Sequence, residues 1–318
     1  MAYYVGRRGS LGVARETTRG AAATPTYSIP YNSISFDDKA VLVDQTSAFG
    51  RIEDADSTYV TKKYGEGEFE YDLEDKAIGT ILCGVAGAAP TSTGPTNFTH
   101  VYTLQNTNQH ASLSLLVQDP NLKRMFRLAM VDKFTIKVDP EGIVKSTCSF
   151  RSAGGQDWAT VAPVYTSLGN KFIHSMLDFK IADATTDLAA ASEINLKNLE
   201  FSITKNVEDW QDLGTATPSD ILNKQLTVEG SFEIGFNDAT YKDYMLGAST
   251  KAMEIKFTYG ANNSLDIQMP KVRFMNWEPN KGLDDIATEK IEFKALYDTA
   301  NAVASISTLT LANQTASY

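Results

Sequence analysis

The sequence predicts a mainly β protein, built as two tandem sandwich or barrel domains with one short α-helix each, behind an extended N-terminal arm. Three observations carry this expectation for the 318-residue chain. From Tyr27 onward, short runs that alternate apolar and polar residues dominate, each bounded by turn residues; that is the period of strands whose successive side chains point to opposite faces. Helical spacing breaks in clearly at residues 74–84. A nineteen-residue segment then recurs further along at a constant offset.

Residues 1–26 mix Gly, Ala, Thr and Arg without a sustained period, which predicts an arm that orders only against something else. The runs SIPYNSISF, KAVLVD, GEFEYDL, ASLSLLVQ, DKFTIKV and IVKSTCSF read as strands of a first domain over residues 27–165. Within it, EDKAIGTILCG places Ala77, Ile78, Ile81 and Leu82 on one helical stripe, with acids at its start and Gly84 where a C-terminal cap would fall. Residues 85–110, polar and rich in Gly, Pro and Thr, read as an insertion.

Laying residues 66–84 over 229–247, an offset of 163, gives six identities in nineteen positions: Glu66 with Glu229, Gly67 with Gly230, Phe69 with Phe232, Glu70 with Glu233, Asp75 with Asp238, and Gly84 with Gly247. NSISF precedes the first copy as NLEFSIT precedes the second, and IVKSTCSF and ATEKIEFKAL close them. The pattern predicts a duplicated chain, with the second domain over residues 166–300 and a C-terminal tail over 301–318.

The stretch YGEGEFEYDLED sets Glu66, Glu68, Glu70 and Asp72 on one strand face. Three readings apply: one half of a general acid/base pair, a calcium site, and a solvated strand face. A single strand cannot supply the opposing carboxylate of a glycosidase, and EGEFEYD lacks the turning backbone of an oxygen-ligand site. Glu66 and Glu70 keep acidic counterparts in the second copy while Glu68 and Asp72 become Ser231 and Gly235. A surface repeated around an assembly explains two copies better than a catalytic row does.

Composition narrows the classes further. The net charge of −10 opposes an ordinary nucleic-acid-binding module, which carries a basic footprint. The first 24 residues hold Arg7, Arg8, Arg15 and Arg19 against Glu16, whereas residues 37–76 hold twelve acids against five bases, so head and body of different copies could attract. Cys83 and Cys148 read as buried free thiols, and Gly65 and Gly67 as strand glycines that allow close backbone approach. His100, His110 and His174 read as polar loop residues, without metal-ligand spacing. Trp158 and Trp210 read as packing or subunit contacts, and the pairs Lys62–Lys63 and Lys123–Arg124 lack the interleaved aromatics of a single-strand binder. No nucleophile motif, phosphate loop, signal-like apolar segment or membrane-length run occurs, which predicts no catalytic residue, no cofactor, no metal and a cytosolic, soluble product.

The segment LGVARETTRGAAATPTYSIP (residues 11–30), the all-β body, the unit GEFEYDLEDKAIGTILCGVAG and the final alternating strand together resemble major tail tube proteins of long-tailed (siphovirus-type) bacteriophages. The resemblance covers nearly the whole chain, and ETTRGAAATPTY with the strand–helix unit is its most specific part. It implies tube-type β domains assembled into stacked rings through which double-stranded DNA leaves the capsid without specific binding. Single-domain relatives form six-membered rings, so two domains per chain imply trimers with pseudo-sixfold symmetry, with hexamers as the alternative. Glu66, Glu68, Glu70, Glu229 and Glu233 are then expected to face the lumen. Arg7, Arg8, Arg15 and Arg19 are expected to meet Glu53, Asp54 and Asp56 of the next ring, through the loop 43–60. Tape-measure, tail terminator and tip proteins are the implied partners, the tail of the virion the implied location, and the host cytoplasm the place of assembly. The rival reading is a two-domain binding or adhesion module of carbohydrate-binding type; a glycosidase using Glu66 and Glu229 is a third.

Overall fold

The alternation of GEFEYDL forms the inner end of a sixteen-residue strand, Ser57–Asp72. Phe69 and Tyr71 are fully buried, while Glu66, Glu68, Glu70 and Asp72 emerge on the other face. A computed structural model describes residues 3–165, 169–283 and 285–318. Its architecture is mainly β, with two α-helices, α1 (Ile78–Ala86) and α2 (Thr240–Leu246).

The same strand order occurs twice. In the first half, Ser10–Arg15, Leu113–Gln118, Lys123–Val138, Lys145–Ala153 and Ser57–Asp72 pair in that sequence, and Tyr31–Ile34 with Asp37–Gln45 forms the edge. In the second, the order is Leu177–Ala182, Thr250–Tyr259, Asn263–Asn280, Thr288–Ala295, Thr227–Gly235 and Asn198–Thr204. All these pairings are antiparallel. Even the irregularities coincide. The register skips Asp132 between Ser149 and Phe150, and it skips Met275 between Glu292 and Phe293, at positions 143 apart. A bulge of this kind bends a strand and lets it pass from one sheet of a sandwich to the other. Before the bulge each long strand pairs in an outer sheet; after it, in an inner one.

Two glycines record the same constraint in both halves. A Cβ on Gly67 would lie 2.5 Å from the Ser35 carbonyl oxygen, and one on Gly230 would lie 2.3 Å from that of Glu200. The edge strand crosses so closely that no side chain fits there, as the sequence reading of Gly67 expects.

The two inner sheets are one. Asn198–Thr204, the edge strand of the second half, pairs on its free side with Lys133–Val138 of the first. The resulting ladder runs Tyr31–Gln45, Ser57–Asp72, Lys145–Ala153, Lys123–Val138, Asn198–Thr204, Thr227–Gly235, Thr288–Ala295 and Asn263–Asn280. One contiguous hydrophobic core runs beneath it, from Leu11 and Val13 to Leu309 and Leu311.

Several local expectations are corrected. The arm is extended, but it is part of the body: Ser10–Arg15 is a core strand flanked by Leu113–Gln118 and Tyr27–Ile29, with Leu11 and Val13 fully buried. The loop expected over 43–60 is confined to residues 46–56, because Asp37–Gln45 and Ser57–Asp72 continue as a paired hairpin on either side. Gly84 does not cap α1. The helix runs on to Ala86 and ends at Gly87, whose φ of +91° and N–H bond to the Cys83 carbonyl make the left-handed cap; Gly84 instead packs against Val131 and Leu113.

The insertion and the tail explain why the two helices differ. All nine residues of α1 are buried, none of α2. Tyr102 of the insertion donates to the Gly79 carbonyl at 3.0 Å, and the Tyr318 ring fills the space beside Gly79. The insertion strand Phe98–Val101 also pairs with Thr308–Asn313, which pairs in turn with Ser264–Gln268, so both segments stitch the first half to the second.

Because Gly67 has φ +150° and faces backbone rather than movable side chains, Gly67→Ala is expected to destabilise the chain by about 1–3 kcal/mol. Gly235→Ala, where nothing lies within 4 Å, is expected to stay within about 0.5 kcal/mol of wild type. Urea unfolding of both variants measures the difference.

Candidate functional site

The polar face of the eight-strand ladder follows from strand parity. Registers place Glu66, Glu68, Glu70 and Asp72 in one row, then Lys145 and Arg151, then Lys133 and Lys137, then Glu200. Glu229 and Glu233 come next, followed by Lys290 and Lys294 around Glu292, and by Glu278 and Arg273 on the last strand. Thus all five glutamates singled out in the sequence share one continuous face. With Asp37, Lys39 and Lys62, it carries ten acids against nine bases, a net of −1 per chain.

The charges are striped rather than uniformly acidic. Glu70 pairs with Lys145 at 3.1 Å, Glu66 with Arg151 at 3.2 Å and Glu233 with Lys197 at 3.0 Å, while Asp72 meets Lys171. Partial burial works against ionisation of Glu233, but hydrogen bonds from Thr288, Lys197 and Asn198 outweigh it and hold its carboxyl below the usual range. Asp72 is likewise lowered by Lys171 and Asn32 against its burial.

The predicted contact residues fall into two groups. Arg7, Arg8 and Arg15 are exposed, as are Glu53, Asp54 and Asp56 in the loop at the hairpin tip. Arg19 is already engaged within the chain: its guanidinium meets Asp220 at 2.7 Å and donates to the carbonyls of His110 and Ile221. The hairpin Asp37–Gln45/Ser57–Tyr64 also shows a feature that its sequence masks, with Val41, Leu42, Val43, Tyr59 and Val60 between 41 and 60 % exposed. An apolar patch of this kind on a protruding element marks an interaction surface.

Cys83 and Cys148 are buried free thiols, as expected, and burial pushes the Cys83 thiol up to about 12. His100 lies in the strand Phe98–Val101, against the loop expectation, and His110 lies in a loop as expected, but both are buried. His100 lies 2.7 Å from Ser92 Oγ and 3.2 Å from Asn313, and the Gln105 carbonyl lies 3.0 Å from His110 Nε2. His174 is exposed. Trp158 is half-buried and Trp210 largely exposed on a short hairpin with Asp220–Leu222.

A family model described as phage tail tube protein matches residues 6–311. The chain belongs to that family. It is therefore a structural, non-enzymatic component of a phage tail. No curated protein matches the chain. In this tail tube protein, no helix among the described residues is long and apolar enough to cross a membrane.

The junction between the halves contains residues that the sequence reading does not single out. Residues 205–226 fold back from the second half over the first: Lys62 and Arg151 meet Asp209 at 2.5 and 2.8 Å, and Lys63 N donates to Ala216 O at 2.6 Å. Lys205 is 1 % exposed, and its ammonium donates to the carbonyl of Gly84 in α1 at 2.5 Å. Nothing in the sequence around Lys205 marks it, since its partner lies 121 residues away.

Burial pushes the Lys205 pKa down to about 7, with Arg19 adding to the effect and Asp132 opposing it. The unfolded chain then binds a proton that the native chain lacks between about pH 7 and the ordinary lysine value, so this group makes stability rise with pH across that window. Relative to wild type, Lys205→Met is expected to flatten the change in thermal midpoint between pH 7 and 9.5. Equal slopes in the two proteins would refute the assignment.

Proposed function

We propose that the chain is the major tube subunit of a long-tailed phage, that three copies close into a ring with pseudo-sixfold symmetry, and that such rings stack into the conduit for double-stranded DNA. The internal junction supports this reading most directly. One chain already joins two similar halves edge to edge, and among the described residues it leaves a strand paired on only one side at each end of the ladder. Closing a sheet on itself removes such edges. Three chains contribute about 24 strands, which at about 4.8 Å per strand give a backbone diameter of roughly 37 Å before tilt widens it. A ring of six chains would carry twelve halves and about 48 strands, twice that circumference. The repeated strand order, bulge and glycine contacts favour descent by duplication of one tube domain.

The striped face, with its excess of acids, is the proposed lumen, holding Glu66, Glu68, Glu70, Glu229 and Glu233. Phosphates meet no continuous basic track there, so DNA passes without specific binding. Arg7, Arg8 and Arg15, together with the apolar hairpin and Glu53, Asp54 and Asp56, are the proposed contacts between rings. Arg19 serves the fold instead. Tape-measure, terminator and tip proteins are the proposed partners, with assembly in the host cytoplasm.

Purified full-length chain, viewed by negative-stain electron microscopy and weighed by native mass analysis at rising concentration, is expected to give hollow rings of three chains that stack. A persistent monomer would sink the reading, and six chains per ring would sink the stoichiometry. Removing residues 2–20 would take away a core strand, so the informative truncation is residues 2–8, which is expected to leave rings that stack poorly; unchanged tubes would remove the arm from the contact. Glu68 and Glu229 form no ion pair among the described residues. Glu68→Lys with Glu229→Lys is therefore expected to preserve tubes but slow DNA ejection from particles carrying it; ejection at the wild-type rate would place this face elsewhere than the lumen.

A further inference from the structure

The internal junction specifies more than the existence of a ring. Because the two halves are built alike, the seam between Lys133–Val138 and Leu199–Thr204 is a template for the seam between chains. Strand by strand, the free edge of the second half corresponds to Lys133–Val138 by the 143-residue shift that also superposes the bulges, Thr135 with Thr147 becoming Glu278 with Lys290. Its other free edge follows likewise. Glu200 sits beside Ser231 in the second half, and Ser35 donates its N–H to Glu68 in the first, so the shift there is 165. Phe36 and Phe201 then coincide, and both are buried.

We infer that in the ring the segment Asn276–Lys281 of one chain pairs antiparallel with Ile34–Lys39 of the next, in a single register: Ser35 opposite Asn280, Asp37 opposite Glu278, and Lys39 opposite Asn276. This rests on the ring reading above and adds which strands meet and how. Both segments have one hydrogen-bonded neighbour strand among the described residues. Both are short, polar edges. Pro279 stands where Ile136 stands in the internal seam, opposite Phe36; having no N–H, it leaves this seam one ladder bond short of the internal one, and such a residue on an edge also discourages stray pairing.

The seam between chains is more polar than the one within. Where the internal junction sets Leu199 beside Val138 and Ile203 beside Phe134, the inferred one sets Ile34 beside Lys281 and Asp38 beside Trp277. Asp37 faces Glu278, a like-charge pair that weakens the contact, and Lys39 lies diagonal to Glu278, within reach of a long side chain. A chain with edges of this composition stays soluble alone and pairs when the geometry of a closing ring brings the edges together. The internal seam, buried and apolar on its core side, holds permanently.

The test is a disulfide across the inferred pair. The internal counterpart of Ser35 and Asn280 is Glu200 and Lys137. Lys205 N donates to Asp132 O, which by alternation makes that pair non-hydrogen-bonded, with Cα atoms about 4.5 Å apart, close enough to bridge. Ser35→Cys with Asn280→Cys, in the full chain, is expected to give covalent three-chain circles on a non-reducing denaturing gel after oxidation of assembled rings. The native thiols are buried and do not compete. Ser35→Cys with Glu278→Cys, two residues out of register, is expected to cross-link at least tenfold less, and each single variant not at all. Rings that form normally without cross-linking in the first pair, or that cross-link equally in the shifted pair, would overturn the register. No rings from the unmodified chain would overturn the ring reading, and the seam with it.

Discussion

The ladder between Lys133–Val138 and Leu199–Thr204 is the constraint on which the rest of the structure depends. A strand edge presents unpaired N–H and C=O groups, and leaving them without partners beneath other structure costs free energy comparable to lost hydrogen bonds. One half of this chain, alone, would have two such inner edges. Joining the halves satisfies one edge of each and turns two small sandwiches into a single curved sheet over a shared core. The segment 205–226, the buried Lys205, the Asp209 ion pairs and the Arg19–Asp220 contact then cover the junction. The insertion and the C-terminal strand bind the halves a second time on the other side.

The bulges at Asp132 and Met275 set the shape that this ladder takes. Each lets one long strand serve an outer sheet first and an inner sheet afterwards. In the first half the bulge also does a second job: the Asp132 carbonyl and carboxylate accept from Lys205 and Val207, so the bend itself anchors the crossing segment. Met275, its counterpart, is 54 % exposed and has no such neighbour among the described residues. That asymmetry follows from position: Asp132 lies at the junction between the halves, and Met275 lies toward the free end of the ladder.

How much of this is legible in the sequence follows from the range of each interaction. Alternation and the repeat around EGEFEYDL are local, and they correctly predict strands, their faces and their recurrence. Gly67 is legible because a glycine inside an alternating strand usually marks a bulge or a close backbone approach. The cap of α1 is misread because Gly84 and Gly87 are both plausible stops, and only packing against Leu113 and Val131 puts the first inside the helix. Arg19 looks free in the sequence because Asp220 lies 201 residues away. The run KAVLVD reads as an ordinary strand, yet in the structure both of its faces are exposed, a property that composition does not encode. The five glutamates do gather on one face, but the lysines and Arg151 between them come from other strands, so a row that looks purely acidic in the sequence is striped in the fold.

If the striped face lines the proposed conduit, its stripes bear on how that conduit can hold DNA without gripping it. Adhesion to a polyanion comes from releasing its counterions, which requires cations free to replace them. Here Lys145 and Arg151 are already paired with Glu70 and Glu66, and Lys137 stands opposite Glu200 and pairs with Asp139 at 3.1 Å. These paired bases are compensated close by, within the roughly 8–10 Å over which salt leaves interactions unscreened. A face of acids alone would repel phosphate but would also repel itself around a closed ring, weakening the assembly. Alternating rows with a small excess of acid avoid both outcomes: ion pairs hold the sheet together across its strands, and under the proposed lumen reading a double helix would meet a weak net repulsion with no site at which to stop.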